Sequence, residues 1–533
     1  MFSLTPWSIS GRADRLLVNH QTSSFVEPGS LRRRGSPCSV KSKRFGRESV
    51  GLGYWQIADF LRQKGRFASG ARAAPREDTF AKGQSDATGA GGRQRTEQWI
   101  WILTTVAIYV APSLPFIATA FFAPQFLPLI GGAWCTLEAL FLIYHEVERR
   151  RVDAAIVLGP APSPADVVTM LDRVLELKQI IDTKSFLSRW FLGAPFESIG
   201  RENVADFVSY GFYDRHMQEL SPAMQEAVRE NVRRIEKAWE VEFPPGLNPN
   251  IRFMAHNREP LRVSHRPLFL YAWSQAVSVL VGNAFRLMGY RSHTAQGLRY
   301  WYRPPSGDHG LQPKLFIHGL GIGVTPYLPF VSALMADRRR ASVVVELGHI
   351  AMRLNRRPPT LDETVAALVG IHERHSLPPA CYVAHSYGTM VVAKVLLTQP
   401  QLVGSTALVD PVCFLLCLPD VVYNFIYRPP EGDDLPTYLA DAFRWYFCSR
   451  ELYVAQALCR GFAWHKVMVW PDQLPKNRVV FLSGRDQIVP SKEVKMQLER
   501  NGVRVIWNAT ARHAHFIFNS EAQRELLEAV DFD

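Results

Sequence analysis

A strand, a five-residue turn and a helix follow one another without a break between Cys381 and Leu397, and few chain architectures accommodate that order. Cys381-Tyr382-Val383 is an apolar run of the kind that ends a buried strand, and Thr389 to Leu397 carries the apolar spacing of a packed helix. Between them lies Ala384-His385-Ser386-Tyr387-Gly388. The serine on such a strand-to-helix turn is forced into a strained backbone conformation that lifts its hydroxyl above the sheet. Only small residues two positions away on either side let neighbouring chains pack around it. Ala384 and Gly388 are those residues, with alanine standing where glycine is commoner.

Three further segments bear on what the serine can do. Upstream, Lys314 to Ile317 reads as a strand that runs into His318-Gly319-Leu320-Gly321-Ile322-Gly323. Attack of a serine on a carbonyl places negative charge on oxygen, and two fixed backbone N–H groups in a dry site stabilise it without reorganisation. Leu320 N–H and Tyr387 N–H are the candidate donors; the plainer reading of the turn is a strand end capped by flexible glycines. Downstream, Arg478 to Ser483 is another buried-strand pattern, and it delivers Asp486, 100 residues after the serine. Asp486 is the first choice for a carboxylate that orients an imidazole, although an Asp before Val489-Pro490 also suits ordinary turn hydrogen bonding. Asp410, which ends the strand-like Ser405 to Val409, is the alternative acid. The last strand, Val503 to Trp507, precedes a loop with His513 and His515. A neutral imidazole is the side chain suited to accept the serine proton near neutral pH. His513 is preferred because it stands earlier in the loop and can lean back over the sheet, and His515 is the alternative base.

With these four elements in this order, the chain resembles the α/β-hydrolase superfamily over roughly residues 296 to 533. The resemblance implies an α/β fold with a mostly parallel sheet, helices on both faces and a helical cap insertion. It implies Ser386 as nucleophile, His513 as base, Asp486 as acid, and Leu320 and Tyr387 as oxyanion donors, within the motifs His318-Gly319 and Ala384-His385-Ser386-Tyr387-Gly388. No metal and no organic cofactor are expected.

The net charge of +12 invites a nucleic-acid reading until it is located. Residues 1–96 hold 17 Lys and Arg against 7 Asp and Glu, which leaves 44 against 42 in the rest. The remainder is therefore nearly neutral, and no basic groove with interleaved aromatics argues for nucleic acid. Seven scattered cysteines without a CxxC pair argue against a disulfide scaffold or zinc site.

The basic tail, residues 1–96, is rich in Arg, Ser and Gly and reads as disordered. The same composition fits a mitochondrial or plastid transit peptide. Residues 97–146 read as a transmembrane helical hairpin. Trp99 to Phe122 carries no charge, Phe126 to Tyr144 carries only Glu138, and each run is long enough to cross a bilayer. Arg93 and Arg95 before the hairpin and Arg149 to Arg151 after it put both ends on the cytoplasmic side or its topological equivalent. Glu138 lies about 9 Å of helix rise from the span end, close enough to meet a polar edge or partner.

Residues 147–295 read as a helical accessory region without a catalytic signature. Ser163-Pro164-Ala165-Asp166 is a helix start, and His265 before an apolar helix reads as structural. Inside the hydrolase-like part, residues at about 413–476 form an insertion too long for a simple connection. Its many aromatic and aliphatic residues, from Phe414 to Trp464, suit a lid over an apolar pocket. Together these features predict a membrane-anchored serine esterase or lipase-like hydrolase acting on a hydrophobic ester or lipid. Acyl transfer by the same residues, and a non-catalytic membrane scaffold, are the alternatives.

Overall fold

The computed structural model describes residues 127–155, 161–307, 310–355, 357–432, 434–460 and 462–531. The basic tail and the expected first span at 99–122 lie outside the described residues.

The described chain opens with α1 (Leu127–Ala154), which outlasts the expected second span by ten residues. Phe141, His145, Glu148 and Val152 are buried, and their four- and three-residue steps trace one helix face. The other faces leave Leu129, Leu137, Leu140, Leu142 and Ile143 exposed. Glu138 reaches a partner: its carboxylate accepts the N–H groups of Leu268 and Phe269 at 2.8 and 3.1 Å. These amides open α6 (Leu268–Leu287), which begins after Pro267 with no side-chain cap of its own. A carboxylate from another helix thus supplies the missing cap and favours the positive end of the α6 dipole. Among the described residues, α6 is the one helix long and apolar enough to cross a membrane by length and composition. The basic run that suggested sidedness is paired, Arg149 and Arg150 with Glu146 and Arg151 with Glu148, so much of its charge is neutralised within α1.

Four helices fill most of the region between: α2 (Pro164–Leu175), α3 (Thr183–Trp190), α4 (Arg201–Tyr213) and α5 (Pro222–Trp239). Ser163 caps α2 in a reciprocal capping box with Asp166, and Pro164 takes the first helical position, where its missing N–H costs nothing. His265 packs its ring against His145 and Phe141. The sheet begins five residues before the expected boundary at 296.

Eight strands form one sheet in the order β1-β2-β4-β3-β5-β6-β7-β8. The antiparallel hairpin β1 (Arg291–Ala295) and β2 (Leu298–Arg303) edges it, and β2 runs antiparallel to β4 (Ser342–Glu346). The remaining pairings are parallel: β3 (Lys314–Ile317), β5 (Ala380–His385), β6 (Val403–Val409), β7 (Asn477–Ser483) and β8 (Arg504–Asn508). Every residue of β4 and β5 is buried, as expected where helices cover both faces. Alternate side chains divide accordingly. Leu315, Ile317, Tyr382 and Ala384 face a cluster that includes α8 (Leu361–Arg374), α9 (Tyr387–Thr398) and α12 (Ser491–Arg500). Phe316, Cys381 and Val383 face one that includes α6, α7 (Leu328–Leu334) and α13 (Ser520–Ala529).

Between β6 and β7 the chain makes a single helical turn at Asp420–Val422, two π-helical turns, Tyr423–Tyr427 and Arg444–Ser449, and two longer helices, α10 (Leu435–Phe443) and α11 (Leu452–Cys459). This insertion shares one apolar core with α2 to α5. Trp190 Nε1 donates to Cys417 O at 2.9 Å and Trp464 Nε1 to Gly211 O at 2.7 Å, so each segment ties its indoles to the other's backbone. Ion pairs Arg189–Asp420 and Arg173–Asp472 bridge the same seam.

Candidate active site

β5 ends at His385, α9 starts at Tyr387, and Ser386 makes the corner with φ 49° and ψ −122°. An L-residue at positive φ is strained, and here the packing over-determines it. Ser386 N–H donates to Val409 O at 3.0 Å. A Cβ on Gly388 would lie 2.5 Å from Ile317 O and 2.9 Å from His318 O, so α9 approaches β3 as closely as a glycine allows.

His513 Nε2 lies 2.9 Å from Ser386 Oγ, and His513 Nδ1 lies 2.7 Å from Asp486 Oδ2. The carboxylate cannot donate, so Nδ1 carries the proton and Nε2 presents its lone pair to the serine hydroxyl. Asp486 Oδ1 accepts from Ile488 N and Val489 N at 2.7 and 2.9 Å. The turn-forming and imidazole-orienting readings of Asp486 therefore coexist, one on each oxygen. Burial pulls the His513 pKa down, but the adjacent Asp486 carboxylate and the charge of Asp410 outweigh it and leave the pKa above its ordinary value.

Asp410 stands behind this chain of hydrogen bonds. Its oxygens accept Ser483 N at 3.0 Å and Ala514 N at 2.8 Å, joining the end of β7 to the histidine loop. Ala514 takes φ 66°, which turns the loop back so that His513 faces the serine. His515 opens the next 3₁₀ turn, with its N–H on Arg512 O. Donor atoms of Asp410, Asp486 and His513 fall within 4.8 Å of one another, a spacing a cation could use. Hydrogen bonds to His513 and to four backbone amides already engage these carboxylates.

Leu320 and Tyr387 flank Ser386 in the wall of one cavity. Among the described residues neither backbone N–H donates to a protein acceptor, so both are free to meet an oxyanion. Their loop is pinned on two sides. Gly321 N–H donates to Ile350 O at 3.0 Å, and Gly319 N–H donates to Tyr327 Oη at 3.2 Å. Tyr327 Oη lies 2.7 Å from His385 Nδ1. The Asp410 carboxylate, 3.8 Å from His385 Nε2, favours the proton on that nitrogen, so Nδ1 accepts from Tyr327 Oη–H while the same oxygen accepts from Gly319 N–H. His318 Nε2 accepts Leu347 N–H at 2.9 Å and its Nδ1 donates to Gly319 O at 2.7 Å. Burial lowers its pKa to about 3, so it is a neutral pin between two strand ends.

Several of these supports escaped the sequence reading. Tyr327 looks like any tyrosine near an apolar helix. Glu346, buried at the end of β4, pairs with Arg353, and the two fill the space that a side chain at Gly323 would need. His256, from the accessory region, lines the cavity of Ser386 together with Val421, Val422, Phe425, Ile426 and Phe462 of the insertion. Phe443 and Phe447 meet with tilted rings and Trp445 lies under the Arg450 guanidinium, both within the insertion, whereas Tyr446 Oη donates to His265 O and ties the insertion to the accessory region.

A serine on a strained corner at the C-terminal edge of a mostly parallel sheet, with an acid and a histidine from the loops after the last two strands, β7 and β8, defines an α/β-hydrolase type of site. Residues 315–529 match the model of the alpha/beta hydrolase family, the part of the chain that carries the sheet from β3 onward and the serine site. Among solved structures, the carboxylesterase CesB of Bacillus subtilis is 10% identical over 49% of this chain and 99% of its own, with a TM-score of 0.36. An alpha/beta hydrolase fold protein from Burkholderia ambifaria is 13% identical, over 46% and 97%, with a TM-score of 0.32. A membrane phospholipase A described as a bacterial virulence factor is 16% identical, over 50% and 94%, with a TM-score of 0.34. No curated protein matches the chain.

Proposed function

We propose that the protein is a membrane-anchored serine hydrolase that cleaves a carboxylic ester in a hydrophobic, lipid-like substrate. The observation that carries this reading is the unbroken hydrogen-bonded series Asp486–His513–Ser386, set beside two unpaired amides in an apolar cavity. In the first step His513 Nε2 takes the Ser386 proton as Oγ bonds to the ester carbonyl carbon. Leu320 and Tyr387 N–H groups stabilise the oxyanion, and Asp486 stabilises the imidazolium. The intermediate collapses, His513 returns the proton to the departing alkoxide, and an alcohol leaves. Water then attacks the acyl-enzyme with His513 again as base, releasing the carboxylic acid and restoring Ser386.

The insertion acts as a lid in this reading, because Val421, Phe425, Ile426 and Phe462 supply apolar wall at the serine. Membrane attachment rests on the exposed leucines of α1 and on Val279, Leu280 and Leu287 of α6, an apolar surface that water disfavours. The test is turnover of an ester panel by the membrane-embedded protein and by Ser386→Ala. Loss of acid release in the variant is expected, and equal rates would remove Ser386 from the mechanism. Adding competing alcohols separates hydrolysis from acyl transfer, since a transferase makes new esters in preference to acid.

A further inference from the structure

Two cavities meet at three side chains. The smaller, about 40 Å³, touches Ser386 and the two oxyanion residues. The larger, about 90 Å³, lies among α2, α3, α4 and α5 and the insertion. His256, Val422 and Phe462 belong to both walls and form a waist between them. Most of the larger wall comes from residues between Leu171 and Asn257, well before the part of the chain that matches the hydrolase family at 315–529.

We infer that the helical accessory region is an acyl chamber: it receives the distal methylenes of a long-chain fatty acyl group whose carbonyl sits at Ser386. Three observations lead there. Protein interiors pack densely and leave few voids larger than a water molecule, so a cavity of this size is a feature to be explained. Its wall is dominated by side chains such as Leu171, Val174, Phe186, Val204 and Val208, and an apolar cavity takes apolar occupants. Its position fits as well, because an acyl chain leading away from an ester carbonyl at Ser386 passes from the smaller cavity to the waist.

The waist itself is uncharged. His256 Nδ1 pairs with Tyr210 Oη at 3.1 Å, an oxygen that also accepts Asn257 N–H at 3.2 Å. Burial lowers the His256 pKa to about 3, so a neutral ring borders the path at physiological pH. The irregular backbone here has a use: Val422 immediately precedes the π-helical turn Tyr423–Tyr427, which brings Phe425 and Ile426 to the smaller cavity. The accessory helices and the insertion are tied by the Trp190 and Trp464 indole hydrogen bonds, and both indoles line the larger cavity. Chamber and lid are thus built as one piece.

The chain-length part of this inference rests on Ser386 being the nucleophile; the chamber itself does not. The experiment therefore has two arms. In the first, p-nitrophenyl butyrate, octanoate and dodecanoate are turned over by the detergent-solubilised full chain and by Val208→Trp and Val174→Phe. These residues line only the larger cavity. Expected is a kcat/KM that climbs with chain length, by up to about fourfold per methylene received in the apolar chamber. The dodecanoate-to-butyrate ratio should fall tenfold or more in both variants. A wild-type optimum at butyrate, or an unchanged ratio in both variants, overturns the chamber. In the second arm, calorimetry measures sodium dodecanoate binding to Ser386→Ala with and without Val208→Trp, and requires no catalysis. Binding weakened at least tenfold by Val208→Trp supports the chamber; no binding, or equal affinities, overturns it. If no ester is cleaved while dodecanoate still binds in this pattern, the nucleophile reading fails and the chamber stands.

Discussion

Tyr327 offers a sharp test of how the site is held, because one hydroxyl serves two buried groups. Tyr327→Phe keeps the ring among Phe316, Phe330 and Phe516 and removes only the oxygen. Gly319 N–H then loses its acceptor at 3.2 Å and His385 Nδ1 its donor at 2.7 Å. Each buried polar group left unsatisfied costs about 1–3 kcal/mol. Partial relaxation of the loop recovers some of this, so a net loss of about 2–4 kcal/mol is expected in denaturant unfolding. The catalytic effect follows from the same bond. Gly319 precedes Leu320, and a loosened loop no longer presents the Leu320 amide at a fixed point. Complete removal of one oxyanion donor costs about 10²–10³ in kcat, so a displaced one should cost about tenfold or more. The loss belongs in kcat with KM little changed, because the interaction is made in the transition state. A Tyr327→Phe protein with wild-type stability and wild-type kcat would refute the reasoning.

Four further outcomes follow from the same geometry. In the proposed mechanism the neutral form of His513 is the base, and its pKa lies above the ordinary value, so kcat/KM should rise with pH through an inflection above that of a free imidazole. In Asp486→Asn the larger raising charge is gone while burial and Asp410 remain, so that inflection should move down and kcat fall by about 10⁴, read from pH–rate profiles. Gly388→Ala drives a Cβ against the Ile317 and His318 carbonyls, which cannot yield as a side chain would; it should cost about 3 kcal/mol in unfolding and at least about 100-fold in kcat. Glu138→Ala uncaps α6 and should lower stability by about 1–2 kcal/mol, measured by thermal or denaturant unfolding, with ester turnover of the folded protein unchanged.

The strands around the site are legible because parallel strands buried on both faces must be apolar runs, and Ser386 sits where one such run meets a helix. The choice between His513 and His515 is a different matter. It depends on Ala514 adopting a left-handed conformation, which Asp410 stabilises by accepting its N–H from 104 residues away. No local pattern carries that contact. Asp410 and Asp486 likewise both end strands, and only the three-dimensional path of the last loop decides which oxygen meets the imidazole. The α1 contact with the fold is the reverse problem: among the described residues of the expected second span only Phe141 is buried, and the packed stripe continues through His145, Glu148 and Val152 in the charged stretch beyond it, where no apolar periodicity marks it. The cavity among α2 to α5 was invisible for a related reason. Leu171, Val174 and Val208 have the helical spacing of core residues, and a wall around a void has the same periodicity as a wall around a neighbour.

The central claim is that Ser386 is a nucleophile activated by His513. It is tested most directly by treating the folded full-length protein with a fluorophosphonate and mapping the adduct by peptide mass spectrometry. The account predicts one phosphonylated residue, Ser386, formed at a rate that collapses in His513→Gln and abolished in Ser386→Ala. Labelling at another residue, or an Ser386 adduct formed equally fast without His513, would contradict it.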